Sequence, residues 1–292
     1  MAPYDIIGNV VLMKFDRKTK AKEKKKIGLK FLKEHPSVNS VLEKSGKIKG
    51  RLRTPMTKWV AGDKNKEVLY RENGCAFRFN VDSCYFSPRL ASDRKEVAEK
   101  VKAGERVLVM FSGVGVYGVV IAKLSKAKEV VCVELGKEPS KYALENVKLN
   151  KLMDRVKIVQ GDVRKVIGKG GLNLKGNLVK KGGLNLKGNL VKKGGLNLKG
   201  NLVPLRFDRI MMARPNLKDS FLDVAFSVLK KGGEISYHGF YPVEDVEEKK
   251  VLNELIESEA KKAGRKVKIL GIKRAGDIGV RKFRYRADFI AD

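Results

Sequence analysis

The sequence is poor in the residues that staple or ligate. Three cysteines, Cys75, Cys84 and Cys132, are scattered through 292 residues that hold only two histidines, and they form no CxxC or Cys/His cluster. Neither a zinc site nor a disulfide framework is indicated, and a reducing compartment fits. No run approaches the roughly 18 apolar residues of a membrane span. Met1–Asp5 lead straight into a strand-like segment without a signal-peptide pattern, so a soluble, cytoplasmic protein is expected. Acid is scarce as well: 33 Asp and Glu stand against 64 Lys and Arg, a formal net charge of +31. That balance favours a polyanionic partner, nucleic acid first, although a lysine-rich, heat-tolerant proteome would give a similar excess.

The length allows one large α/β domain and a smaller one. Residues 1–84 read as a β-rich, α+β RNA-binding domain. Ile6–Phe15 is apolar and β-branched, Cys75–Val81 alternates, and a basic amphipathic helix lies between them. Basic residues gather at Arg17, Lys18, Lys20, Lys22, Lys24, Lys25 and Lys26, and again at Lys47, Lys49, Arg51, Arg53 and Lys58. Such runs are commonly a solvated face, but Trp59, Tyr70 and Phe77 among them would suit base stacking beside phosphate contacts.

From Asp93 the pattern changes. Val97, Ala98 and Val101 fall on one helical face, and the short apolar runs Arg106–Phe111, Glu129–Glu134, Val156–Gly161, Phe207–Ala213 and Glu234–Tyr237 follow, separated by helical stretches. A doubly wound α/β fold over 85–292, with a mostly parallel sheet covered on both faces, is the expected architecture. Val267–Ile272 and Lys282–Ile290 are expected to finish the sheet as an antiparallel hairpin. One insert breaks the pattern: residues 169–203 carry three copies of KGGLNLKGNLV at a period of 12, starting at Lys169, Lys181 and Lys193. Short stacked strands and an expanded linker are both compatible with it.

The strongest local signal is Val107-Leu-Val-Met-Phe-Ser-Gly-Val-Gly115, a buried strand entering a tight Gly-x-Gly turn before a helix. In a doubly wound sheet that turn faces the crevice at the strands' carboxyl ends, where backbone amides approach a nucleotide-like ligand. The turn by itself often only packs a helix onto a strand. Two later acids add weight: Glu134 ends the second strand and Asp162 follows the third. The first is placed to accept ribose hydroxyls and the second an adenine amino group. Each alone would read as a strand-end residue or helix cap; in this order they point to an adenosyl cofactor.

Here the sequence resembles a family, the archaeal and eukaryotic tRNA guanine-37 N1-methyltransferases and their relatives, the aminocarboxypropyl transferases of wyosine synthesis. The motifs are Tyr85-Phe-Ser-Pro-Arg-Leu-Ala-Ser-Asp-Arg94, Met110-Phe-Ser-Gly-Val-Gly115, Glu134 with Asn146 and Leu149-Asn-Lys151, Gly161-Asp-Val-Arg164, and Phe221-Leu-Asp-Val-Ala225 with Lys231-Gly-Gly-Glu-Ile-Ser-Tyr-His238. The resemblance covers the chain apart from the repeat insert. It implies a class I methyltransferase domain behind a β-rich domain, without the separate amino-terminal domain of many members. The implied cofactor is S-adenosylmethionine, held by Phe111, Ser112, Gly113, Val114, Gly115, Glu134, Leu135, Asp162, Val163 and Ala213. It also implies Arg89 and Pro215 at the reacting base, with Arg89 stabilising charge on the guanine carbonyl oxygen; an ion pair to a nearby acid is the structural alternative for Arg89. The implied partner is the anticodon loop of tRNA, with no membrane, no metal and no obligate protein partner.

Three departures stand out. Ala213 occupies the place of an asparagine in the family's Asn-Leu-Pro, Val109 that of an acid, and Val116 that of a proline. They leave methyl transfer, aminocarboxypropyl transfer and non-catalytic RNA binding as competing readings, and no acid stands out as the general base.

Overall fold

Gly8, at φ +57°, turns the amino-terminal apolar run back on itself. The strand-like segment from Ile6 is therefore two strands, β1 (Tyr4–Ile7) and β2 (Val10–Met13), paired antiparallel. No side chain fits at that turn, because a Cβ on Gly8 would lie 2.0 Å from the Leu69 carbonyl oxygen. The computed structural model describes residues 3–45, 56–168, 171–172, 205–242, 248–279 and 282–292. Helix α1 (Ala21–Glu34) crosses from β2 to its parallel neighbour β3 (Ser40–Lys44), and β4 (Thr57–Gly62) completes a sheet in the order β1-β2-β3-β4. Gly28 and Phe31 bury the helix's apolar face against Val41, Val60 and Ala61. Lys20 just before it, then Lys22, Lys25, Lys26, Lys30 and Lys33, are left exposed, the division that the amphipathic pattern predicts.

A hairpin follows, β5 (Glu67–Glu72) and β6 (Cys75–Asn80). After a short 3-10 turn at Pro88–Leu90 come α2 (Ala91–Glu99), β7 (Arg106–Met110), α3 (Val116–Leu124), β8 (Glu129–Glu134), α4 (Lys137–Leu149), β9 (Val156–Gln160) and α5 (Val163–Val166). The two-residue strands β10 (Ile167–Gly168) and β11 (Gly171–Leu172) pair with each other; the rest of the repeat segment lies outside the described residues. The chain continues through β12 (Phe207–Met212), α6 (Leu222–Val228), β13 (Leu229–Pro242), α7 (Glu248–Lys262), β14 (Val267–Gly279) and β15 (Lys282–Ala291).

The large sheet has the order β14-β15-β13-β12-β7-β8-β9. Strands β13, β12, β7, β8 and β9 run parallel, and β15 is antiparallel to both its neighbours, as expected for the closing hairpin. Both faces are buried by alternation. Val107, Val109, Val130 and Cys132 face the core under α3 and α4, while Leu108, Met110, Val131 and Val133 face the core under α6 and α7. Val109 is thus a fully buried packing residue.

The β5–β6 hairpin lies before the domain boundary expected at 84 yet shares the first of these cores through Val68, Phe77 and Phe79. Its exposed edge is satisfied by side chains of α4. Asn150 Oδ1 accepts from the Ala76 amide at 2.9 Å and Asn146 Oδ1 from the Arg78 amide at 2.7 Å, and both side-chain amides donate back to the carbonyls of the same residues. Two asparagines four residues apart on a helix thereby replace a strand partner. The stacking platform expected of Trp59, Tyr70 and Phe77 is corrected by the same packing. Phe77 is fully buried and Tyr70 packs edge-on against Phe86, which leaves Trp59 exposed with Lys64 above its ring. Lys47, Lys49, Arg51 and Arg53 lie outside the described residues.

Candidate active site

Where β7 ends, the chain leaves Met110 through three left-handed residues, Phe111 (φ +62°), Gly113 (+55°) and Gly115 (+82°), before α3 begins. A phenylalanine with positive φ is strained, and such strain gathers where a ligand site demands it. Phe221, the residue before α6, is strained in the same way at φ +59°, and the two rings meet edge to face at 5.0 Å. Of the glycines, Gly115 packs rather than lines, since a Cβ there would come 3.2 Å from that of Ala143. Gly118 does the same more severely, 2.1 Å from Cys132 Sγ, and it is the third glycine of a Gly-x-Gly-x-x-Gly spacing. That spacing is shared with dinucleotide sites. Around Gly113 a Cβ would meet only the Tyr85 carbonyl oxygen, at 3.9 Å.

The crevice beyond this turn is lined by Phe111, Ser112, Gly113, Val114, Glu134, Leu135, Asp162, Val163, Ala213 and Pro215 among the residues selected from sequence. Glu134, almost fully buried, accepts the Gly113 and Gly136 amides through its two carboxylate oxygens, each at 2.8 Å. Burial pushes its pKa up, against the lowering effect of these amides. Its remaining lone pairs are available to hydroxyl donors. Asp162 caps α5 by accepting the Arg164 amide at 3.0 Å. Arg164 in turn forks onto Asp219 and Asp223 and lies over the Phe221 ring at 4.9 Å, tying the third strand's loop to the strained phenylalanine. Ser112 Oγ is buried beside them and makes no hydrogen bond among the described residues.

The opposite end is built by the Tyr85–Arg94 segment and by two residues absent from the sequence selection, Arg214 and Arg284. Arg94 forks bidentately onto Glu72, both at 2.5 Å and both buried. Arg214 stacks on Tyr237 and donates to the carbonyls of Leu217, Asp219 and His238, so it braces the loop carrying Pro215. Arg89 is placed elsewhere: its side chain is 61% exposed, pairs with Asp5 at 2.7 Å, and is not among the lining residues, although Ser87 and Leu90 are. Sequence gave no signal for Arg284, because its position depends on a strand that returns to the middle of the sheet from the chain's end.

Beneath Tyr117, another lining residue, sits a buried ionic network. Asp93 accepts from Tyr117 Oη at 2.6 Å, from His238 Nε2 at 3.2 Å and from Arg286 Nη1 at 2.6 Å. Arg286 also reaches Asp288, which accepts from Ser236 and Lys100 at 2.6 Å each. Burial alone would raise the Asp93 pKa; the His238, Arg286 and Tyr117 donors outweigh it and hold the carboxyl well below the usual range. Burial lowers the His238 pKa, so the ring supports Asp93 as a neutral N–H donor and Arg286 supplies the positive charge. Cys75, Cys84 and Cys132 are free and buried, their thiols pushed up to about 11, 11 and 12 by burial. Among the described residues no helix is long and apolar enough to cross a membrane.

Comparison with known proteins agrees with this geometry. Residues 68–176 match the TRM5/TYW2 methyltransferase domain and residues 2–65 the TYW2 N-terminal domain. The chain is 32% identical over 286 residues to the tRNA (guanine(37)-N(1))-methyltransferase Trm5b of Pyrococcus abyssi, covering 98% of this chain and 74% of that protein. The crystal structure of that relative superimposes with a TM-score of 0.77 at 30% identity, over 99% of this chain and 75% of the other. The tRNA (guanine(37)-N(1))/4-demethylwyosine(37)-methyltransferase Taw22 of Nanoarchaeum equitans is 33% identical over 302 residues, 97% of each chain. The fold is shared with Methanocaldococcus jannaschii TYW2 in complex with AdoMet, at a TM-score of 0.67 and 23% identity over 99% of both chains. A strained Gly-x-Gly turn, a buried acid ending the second strand and two-part sequence similarity along nearly the whole length place one conclusion beyond the fold: the chain belongs to the TRM5/TYW2 methyltransferase family.

Proposed function

We propose that the protein transfers the methyl group of S-adenosylmethionine to N1 of guanine 37, beside the anticodon of tRNA, in the cytoplasm. The observation that carries this is the crevice itself, in which Glu134 and Asp162 stand on one side of the Phe111–Gly115 turn and Pro215 and Tyr117 on the other. The residues fit the cofactor. Glu134 keeps acceptor capacity for ribose hydroxyls, Asp162 can accept from an adenine amino group, and buried Ser112 Oγ has no hydrogen-bond partner among the described residues. When bound, the sulfonium supplies an electrophilic methyl. The chain's own work is to orient it, to exclude water and to receive a loop base splayed out beside Gly113 and Pro215. Guanine N1 carries a proton that must leave. Asp93, held ionised well below the usual carboxylate range by His238, Arg286 and Tyr117, does not keep that proton; its part is to orient the Tyr117 hydroxyl that lines the crevice.

Primer extension on folded tRNA treated with the protein and cofactor tests the assignment. A new stop at guanine 37 is expected, and its absence would overturn the reading. Ala213 favours one second reading, aminocarboxypropyl transfer to a tricyclic guanine derivative at the same position, since the residue it replaces would orient guanine. The released nucleoside separates the two, S-adenosylhomocysteine for methyl transfer and methylthioadenosine for the alternative.

The exposed lysines of α1 are the proposed phosphate contacts. Changing Lys25, Lys26 and Lys30 to Gln together should weaken tRNA binding at low salt. It should also make the slope of log affinity against log salt shallower by about 2 to 3, from about 0.7–0.9 for each of the three lost contacts. Filter binding across a salt series reads both quantities; an unchanged slope would remove α1 from the RNA footprint.

A further inference from the structure

Five arginines are buried in the described residues: Arg94, Arg209, Arg214, Arg284 and Arg286. Four of them are answered within the chain. Arg94 has Glu72, Arg209 has Glu105 and Glu234, Arg286 has Asp93 and Asp288, and Arg214, though its Nε makes no hydrogen bond and no carboxylate pairs with it, has three main-chain carbonyls, an answer that Arg284 lacks among the described residues. Arg284 differs. It is 5% exposed, yet among the described residues no carboxylate pairs with it, its Nε makes no hydrogen bond, and its Nη2 has only a 3.5 Å contact with Tyr85 Oη. Phe240 lies under the guanidinium at 5.0 Å.

The sheet explains why such a group stands over the crevice. Parallel pairing of β12 with β13 ends at Met212 and Tyr237, but β13 and β15 continue together from His238 and Arg286 to Pro242 and Lys282. This antiparallel extension rises past the carboxyl edge of the parallel strands and carries Arg284 to the lining, at the end away from Glu134 and Asp162.

Nε–H and Nη2–H form the side-on edge of a guanidinium, the edge that Arg94 uses for its bidentate contact with Glu72. A buried cation whose fork is left open is costly unless a ligand closes it. We propose that Arg284, with Tyr85 beside it, is the binding site for a two-oxygen anion of a substrate. It is either the α-carboxylate on the amino-acid arm of the cofactor or a phosphate of the target RNA strand. The first source rests on the cofactor reading above; the second does not.

Titration calorimetry on the full chain separates them, with Arg284→Met keeping the stem and losing the charge, and Arg284→Lys keeping the charge and losing the fork. If the anion is the cofactor's carboxylate, Arg284→Met should bind S-adenosylhomocysteine about 10- to 100-fold more weakly, the range expected for charged hydrogen bonds. Methylthioadenosine, which lacks the amino-acid arm, should bind it as it binds the parent, and Arg284→Lys should recover part of the loss. If the anion is a phosphate, both nucleosides bind unchanged, while affinity for an anticodon stem-loop falls and its salt slope becomes shallower by about one. Unchanged affinity for all three ligands overturns the proposal. Failure of the parent protein to bind either nucleoside would count against the cofactor reading instead, with the stem-loop arm still deciding Arg284. A melting temperature for each variant shows that the fold is retained.

Discussion

Replacing Glu134 with glutamine is expected to lower affinity for S-adenosylhomocysteine by roughly 100-fold, with little change in overall secondary structure. The carboxylate does two things at once. It fixes the turn by accepting the Gly113 and Gly136 amides, and it is the buried acceptor facing the crevice. Glutamine has the same shape but one acceptor oxygen, so an NH2 group would face one of those amides, donor against donor, and the capacity left for ribose hydroxyls would shrink. Calorimetry of the variant with S-adenosylhomocysteine checks this, and a change under about threefold would remove Glu134 from the site.

The pH dependence follows from the direction of the shift. Burial raises the Glu134 pKa above its unfolded value, so ionisation costs the folded protein. At this group stability is greatest below the unfolded value and declines as pH rises through the folded one. Cofactor affinity runs the other way: only the ionised form accepts from both amides and the ligand, so binding should weaken as the buffer is acidified through the raised pKa.

The second large effect is on stability. Changing Arg286 to methionine should lower the unfolding free energy by about 3–5 kcal/mol, and the melting temperature by roughly 6–15 °C for a chain of this size. Arg286 is 1% exposed, and its removal would strand Asp93 and Asp288, both buried, without their central cation. The depressed pKa values of those two acids give stability that is present above their unfolded values and is lost as pH falls through the folded ones. The variant should therefore lose most at neutral pH and converge on the parent in strong acid. Arg89→Met is the control: its exposed pair with Asp5 should be worth at most about 1 kcal/mol. Chemical denaturation of both variants reads the difference, and equal losses would mean that the network under Tyr117 is hydrated.

Much of the scaffold was legible because it is written locally. Continuous apolar runs at Val107–Met110 and Val130–Val133 mark strands buried on two faces, and Val97 and Ala98 on one helical face mark α2, with Val101 just past its end. Glycines at 113 and 115 mark the turn, since left-handed backbone is a property of single residues. Other features depended on packing. The two asparagines of α4 are visible as residues, but their service to the edge of β6 requires the hairpin to dock there. Phe77 read as an aromatic among basic residues and turned out to be core, because its hairpin joins the large sheet's core and not an RNA-facing surface.

By itself the sequence determined the order of the parallel strands and their helices, the tight Gly-x-Gly turn after β7 and the two acids that follow it, since each rests on spacing within a few residues. Tertiary structure alone decided which charges meet. Asp5 captures Arg89 across 84 positions, Arg286 reaches Asp93 across 193, and Arg284 meets Tyr85 across 199. Such meetings depend on distance in space and on exclusion of water, and for the last two both are set by β15, which inserts between β13 and β14 and carries Arg284 to the crevice and Arg286 to the network beneath it.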